Sequence, residues 1–392
     1  MQCKCRRMKS PFLLPCTAAL LLLSACEFES YRDYRVPPYE GVFSWTEVTH
    51  EAPWCNRFDH TSVWYGDRLW VMGGYNPGKV KGDTYLEDVW SSADGQEWIL
   101  VNASAPWLGR RGHASVVFDD GSGPAMYVIG GFAVDEETGY REYRNDVWRS
   151  TDGAIWTQIK ERTYPELDSL YDWFPRFNHT CLTAIHGGTA YIYLIGGATM
   201  LEDHNARYSM IYFNDVWRSA DGITWERLPS DDFGIRSEHA ATVDPATNRI
   251  YIQGGRHGVI FEGVENGTHP LPDWHWLWSS DDGIRWTPAN DTAEFAQSPL
   301  WRAEHQLVFY GESLFGLPGK SNSNAHFHFS RKEDYTFWRM DPGNLWSVDS
   351  EGSDFGARYG YSMAVNEGMV WILGGDTGAG GPANDVWYGE IK

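Results

Sequence analysis

Positive charge is scarce in this sequence: 32 Lys and Arg stand against 53 Asp and Glu, for a formal charge of −21. Non-specific nucleic-acid binding needs a basic footprint and is excluded. An anionic ligand would have to be drawn by a local cluster of cations against the global field. Cysteine is scarce too. Cys3, Cys5, Cys16 and Cys26 crowd the N-terminus, which leaves Cys55 and Cys181 in the body of the chain. Two thiols in different repeats exclude a disulfide framework, and a single bond between them is open but not favoured. The apolar stretch from Phe12 to Leu23 falls short of a membrane-spanning helix.

What the N-terminus does have is a basic head, with Lys4, Arg6, Arg7 and Lys9 ahead of that apolar stretch. It ends in Leu23-Ser24-Ala25-Cys26, which resembles the bacterial lipobox. The resemblance implies a signal peptide over residues 1–25, lipidation of Cys26 and an anchor in the cell envelope. Glu27 rather than Asp follows the Cys, which points to the outer membrane. Removing four cations and no acid would move the charge from −21 to −25. Residues 26–40, with Pro37-Pro38, read as the lipidated Cys and a tether.

Aromatic residues and glycine are abundant, with 21 Trp, 21 Tyr, 18 Phe and 41 Gly, as expected of an all-β repeat protein. Apolar strands ending in a Gly pair recur as LWVMGG, MYVIGG, IYLIGG, IYIQGG and VWILGG. A sixth copy, LFGLPG, puts Pro318 and Gly319 at the Gly-Gly position. A loop follows each pair, then a strand such as Asp88-Val89-Trp90, Asp146-Val147-Trp148, Asp215-Val216-Trp217 or Asp385-Val386-Trp387. Next come a tight turn and a further Trp, at Trp98, Trp156, Trp225 and Trp286, with Trp338 as the expected counterpart in the fifth repeat.

This order resembles the kelch repeat across residues 41–392 and implies a six-bladed β-propeller of four-stranded antiparallel blades. The sixth repeat has no room for its fourth strand, and Ser44-Trp45-Thr46-Glu47-Val48 matches the missing one. An N-terminal strand that closes the last blade removes an open sheet edge. The turns SSADGQEW, STDGAIW, SADGITW and SSDDGIRW resemble the Asp boxes of sialidase-like propellers, with the last read in register at Ser279, Asp281, Gly283 and Trp286 and the others one residue short. Such turns imply a structural role.

Each repeat opens with Arg and, three residues on, His or Tyr. The pairs are Arg57 with His60, Arg110 with His113, Arg176 with His179, Arg236 with His239, Arg302 with His305 and Arg358 with Tyr361. Trp54, Trp107 and Trp173 precede their Arg by three, as do Phe233 and Phe355, while Trp301 is displaced to the position just before Arg302. Strand parity places this collar around the central channel, on the face of the long loops, where binding functions usually sit. Two readings stand side by side. The collar is a ligand site, or it is a hydrogen-bonded ring between blades, in which case function rests on residues that break the pattern. The pattern-breakers are Arg111, Asp203, His204, Arg256, His257, Trp274, His275, His326 and His328.

Arg forks and imidazoles at an aromatic-rimmed mouth suit a glycan, an acidic small molecule or an envelope-protein partner. The alternative is a carbohydrate-active enzyme, a polysaccharide lyase or sugar epimerase. There Arg176 with His179, or Arg358 with Tyr361, would neutralise a carboxylate and move a proton. No cofactor and no metal are expected, since neither Cys55 nor Cys181 sits in a copper motif and His326 with His328 lack a third ligand. A monomer is expected.

Overall fold

The structure, a computed structural model, describes residues 41–78, 85–134, 139–202, 208–230, 232–256, 277–289, 302–321, 336–342 and 346–392. The segments read as signal peptide and tether lie outside the described residues, as do Asp203, His204, His257, Trp274, His275, Trp301, His326 and His328. No helix among the described residues is long and apolar enough to cross a membrane.

Six four-stranded antiparallel sheets form the blades of a β-propeller. The first blade runs Thr61–Tyr65, Arg68–Met72, Val89–Ser92 and Trp98–Asn102. Four more follow in the same order, starting at Ala114–Asp119, Thr180–His186, Ala240–Val243 and Leu307–Tyr310. The sixth joins Ser362–Asn366, Met369–Asp376 and Pro382–Ile391 to the N-terminal strand Phe43–Thr49. In that closure Phe43 pairs with Ile391 and Trp45 with Gly389, as the sequence match anticipated.

The second strands read as unbroken apolar runs because neighbouring blades cover both of their faces. Leu69, Trp70, Val71 and Met72 are all buried. Cores lie between blades. Tyr127 and Ile129 of the second blade pack with Ile192, Leu194, Trp217 and Trp225 of the third.

The tight turns staple the blades together. Ser92 Oγ accepts from the Gly95 N–H at 2.8 Å, Asp94 Oδ1 accepts from Gln96 and Glu97 at 2.9 Å each, and Trp98 Nε1 donates to Gly95 O at 2.9 Å. Gly153, in the same turn of the second blade, has φ +71°, and a Cβ there would sit 2.2 Å from the Trp70 ring of the first. The fourth-blade turn corrects the expected register. Ser280 and Asp282 hold it, with the Gly283 N–H on Ser280 Oγ at 2.8 Å and the Ile284 N–H on Asp282 Oδ1 at 2.8 Å. All four turns therefore share one spacing, and Ser279 and Asp281 are not the pair that builds the fourth. The fifth blade holds a second correction. Trp338 lies on the third strand, Phe337–Met340, paired with Val348, so the residue that heads the fourth strand is Trp346.

Candidate functional site

Three concentric layers surround the channel on the loop-bearing face, and they differ in chemistry. The outermost is the arginine collar. Arg57 is fully buried and forks onto Asp88 at 2.7 and 2.8 Å while its Nη1 also donates to Gly73 O at 2.8 Å. Arg110 repeats this with Asp146 and Gly130 O, Arg176 with Asp215 and Gly196 O, and Arg358 with Asp385 and Gly374 O. Burial alone would raise the Asp146 carboxyl, but the Arg110 charge and hydrogen bonds outweigh it and hold it at about 2. Where the Asp of the third strand is missing, backbone carbonyls accept instead. Arg236 donates to Gly234 O and Gly254 O, and Arg302 to Leu317 O and Thr336 O.

These six guanidiniums are thus clamps within their own blades, and the expectation that they face the channel is corrected. In Arg57, Arg110, Arg176 and Arg358 the guanidinium is held by its Asp and a backbone carbonyl, and none of the six guanidiniums lines the channel cavity. Trp54, Trp107 and Trp173 are corrected in the same way. They are at most 1% exposed and pack edge-on against Trp98, Trp156 and Trp225, so they form core rather than rim.

The second layer does line the channel, a cavity of about 300 Å³ bordered by His60, His113, His179, His239, His305 and Tyr361. Burial, then the adjacent Arg charges, push His113, His179 and His305 down to about 3, and His60 and His239 well below their usual value. The imidazoles are neutral near pH 7. Each packs its Cε1 against the first glycine of the preceding blade, as His113 does where a Cβ on Gly73 would lie 2.9 Å away. The one blade with Pro318 in place of that glycine is followed by the one blade with Tyr361 in place of His. There the phenol donates to Pro318 O at 2.7 Å. Pairings of Arg176 with His179 and Arg358 with Tyr361 as proton-transfer couples do not fit. Each Arg turns outward to an Asp, and burial raises the Tyr361 phenol far above its usual range.

The third layer was missed by sequence reasoning. The residue immediately before each His or Tyr is, in turn, Asp59, Gly112, Asn178, Glu238, Glu304 and Gly360, all with φ between +52° and +59°. Their backbones chain around the mouth, with Gly112 N–H on Asp59 O at 3.0 Å, Asn178 on Gly112 at 2.7 Å, Glu238 on Asn178 at 2.9 Å, Glu304 on Glu238 at 2.8 Å and Asp59 on Gly360 at 2.8 Å. The left-handed conformation suits Gly, Asn and Asp; two Glu there are strained choices, of the kind that gathers at functional sites. Positions filled by Asp, Gly and Asn in an otherwise constant motif were the available signal.

Onto this ring converge three cations from two repeat positions that each blade fills differently: Arg111 follows its collar Arg, and Arg256 and Lys320 follow the Gly pair and its Pro-Gly counterpart. Arg111 lies 3.7 Å from Asp59, Arg256 contacts Glu238 and reaches Glu304 at 3.4 Å, and Lys320 lies 3.9 Å from Glu304. Asn178 Nδ2 donates to Glu238 Oε1 at 3.0 Å. The Arg111 guanidinium also stands 4.8 Å over the Tyr75 ring, and the Lys320 ammonium 4.1 Å over Tyr359. Burial and then repulsion from Glu304 push the Asp59 carboxyl up to about 7, and burial with the Glu238 charge raises Glu304. Among the described residues no cluster of three His, Cys, Asp or Glu is arranged to hold a metal ion. Cys55 and Cys181 are both free thiols.

The fold and this mouth define a six-bladed β-propeller with an ionic ring over its central channel. No family model matches the chain. Acyl-CoA-binding domain-containing protein 4 of Arabidopsis thaliana is 22% identical over 284 residues, which are 69% of this chain and 36% of that protein. The chain therefore spans about a third of that relative's length. A solved structure titled "Structure of YjhT" superposes with a TM-score of 0.59 at 14% identity, over 86% of this chain and 96% of that one. That likeness is one of fold.

Proposed function

We propose that this chain is a lipid-anchored, kelch-type propeller of the cell envelope that binds an acidic sugar at the mouth of its channel. The carrying observation is the convergence of Arg111, Arg256 and Lys320 on the ring of Asp59, Asn178, Glu238 and Glu304. Burial raises the Asp59 and Glu304 carboxyls, which weakens the negative charge that the ring sets against its three cations. The mouth then attracts an anion despite a chain charge of −21. Ring carboxyls and Asn178 supply hydrogen bonds for hydroxyls, and Tyr75 and Tyr359 give flat apolar faces. The lipobox-like N-terminus supports the envelope location.

Isothermal titration against uronic acids, sialic acid and their oligomers tests this. Saturable binding is expected for at least one acidic sugar, with a loss of tenfold or more in Arg256→Ala. Failure of every acidic sugar to bind would sink the reading.

One observation favours a second reading, a sugar epimerase or lyase. Glu304 and Glu238 lie together with the Glu304 pKa raised by burial and then by the Glu238 charge, which is how one carboxyl is kept as acid beside another as base. An enzyme of this kind would speed anomer exchange, or raise ultraviolet absorbance through an unsaturated uronate, and Glu304→Gln would abolish either signal.

A further inference from the structure

A second cavity of about 530 Å³ opens between the second and third blades, apart from the channel. Two hairpins wall it. In the second blade the strands Pro124–Val134 and Arg141–Ser150 run on past the Gly pair, with Phe132 opposite Tyr143 and Val134 opposite Arg141. In the third blade Ala198–Glu202 pairs with Tyr208–Tyr212 as a separate hairpin. Between them stand Tyr140, Tyr143, Tyr164 and Tyr208 together with Arg141 and Arg162. Tyr140, Tyr164 and Tyr208 are 65%, 75% and 55% exposed and gather in one cleft, which offers a ligand a contiguous aromatic surface.

The cations set this cleft apart from an apolar groove. Arg141 has no carboxylate partner among the described residues. Its guanidinium lies 5.1 Å over Tyr208 and donates to the Met200 sulfur at 3.1 Å, a weak acceptor. Arg162 stands 4.7 Å over Tyr164 and 3.4 Å from Glu142. On one wall, Thr199 Oγ1 is buried without a hydrogen-bond partner. Phe132 joins this cleft to the mouth, 5.0 Å from Tyr143 on one side and 5.7 Å from the Arg111 guanidinium on the other.

We infer that the cleft is a subsite for a further acidic residue of an oligosaccharide whose end lies in the channel mouth. Tyrosine faces stack on the C–H faces of pyranose rings while their hydroxyls meet sugar hydroxyls, and Arg141 offers an open fork to a carboxylate or sulfate. A peptide groove would instead be expected to offer aliphatic pockets, whereas tyrosines and arginines make up half of this lining. The inference rests on the acidic-sugar reading of the mouth and extends it from a single sugar to a chain.

The test is isothermal titration of the purified protein in detergent with galacturonate, mannuronate and guluronate oligomers of one to six units, and with sulfated glucosamine oligomers. Wild type is expected to gain tenfold or more in affinity from one unit to four. Arg141→Ala and Tyr208→Ala should abolish that gain and leave single-unit binding within twofold, whereas Arg256→Ala should weaken every length. Affinity independent of length, or groove variants that bind tetramers like wild type, overturns the subsite while leaving the mouth reading intact. Loss of tetramer binding in the groove variants with no effect of Arg256→Ala would overturn the mouth reading and, with it, the subsite as an extension of the mouth. Absence of binding by all probes removes both.

Discussion

Arg110 and Arg111 are neighbours in sequence, yet they belong to rings with opposite character. Arg110 is fully buried and forked onto an Asp that is itself 1% exposed, in a pattern that four blades reproduce with Asp and two with carbonyls. Arg111 is 27% exposed, occurs once, and meets a carboxyl at 3.7 Å whose pKa is pushed up to about 7. The collar is constant in identity, and in four blades it is locked by a two-pronged Arg–Asp pair. The mouth is constant in backbone conformation and variable in side chain. In a repeat protein the first kind of ring holds blades together, and the second is where one face acquires its own chemistry.

The largest effect that would break this contrast is on stability. Arg110→Ala leaves Asp146 buried without its cation and should cost about 3–5 kcal/mol in urea unfolding. Arg111→Ala next door should cost no more than about 1 kcal/mol, because Arg111 is itself 27% exposed and meets Asp59 only at 3.7 Å. Equal losses in the two variants would erase the distinction.

Somewhat smaller is the effect of filling a blade-to-blade turn. Gly153→Ala combines φ +71° with a Cβ 2.2 Å from Trp70 and should cost about 2–3 kcal/mol. Gly121→Ala, at φ +93° with nothing within 4 Å, isolates the backbone part and should cost about 1 kcal/mol.

The two inner layers should carry opposite pH signatures. Asp59 rises from 3.8 to about 7 on folding, so its contribution is intact below pH 4 and is lost as pH climbs toward 7. The histidines fall from 6.5 to about 3, so theirs is intact above pH 6.5 and is lost as pH drops toward 3. Thermal melts across pH 4–8 should therefore show Asp59→Asn gaining on wild type toward pH 8, by on the order of 2 kcal/mol. His113→Asn should gain toward pH 4. A shift in the same direction for both would contradict the assignment.

The smallest expected effect is a gain. Thr61, Thr180 and Ser362 each hydrogen-bond the imidazole of the next blade, at 2.9, 3.1 and 2.8 Å. Ala114 holds that position before His179, whose Nε2 has no partner. Ala114→Thr should restore the bond and stabilise by about 0.5–1 kcal/mol.

Much of this architecture was legible in the chain. The Gly pairs, the hidden LFGLPG copy and the strand around Trp45 gave six blades and their closure, because backbone demands leave identity-level marks. The corrections share a cause. Trp338 and Ser279 were placed by matching letters, whereas strand pairing places Trp346 and Ser280 in the shared register. The collar was recognised, but its partner, the Asp of the third strand, lies some thirty residues away and becomes a partner only once the blade folds. The mouth was hidden for a different reason: what its six positions share is a backbone angle, and sequence shows that only through Gly, Asn and Asp. Glu238 and Glu304 give no such sign.

The central claim is that ligand is held by the mouth and not by the collar or the channel histidines. Titration of the best-binding acidic sugar against Arg111→Ala with Arg256→Ala combined, and against His179→Asn, tests it most directly. The account predicts a loss of a hundredfold or more in the first protein and affinity within threefold of wild type in the second. The reverse order, with both proteins folded by circular dichroism, would contradict it.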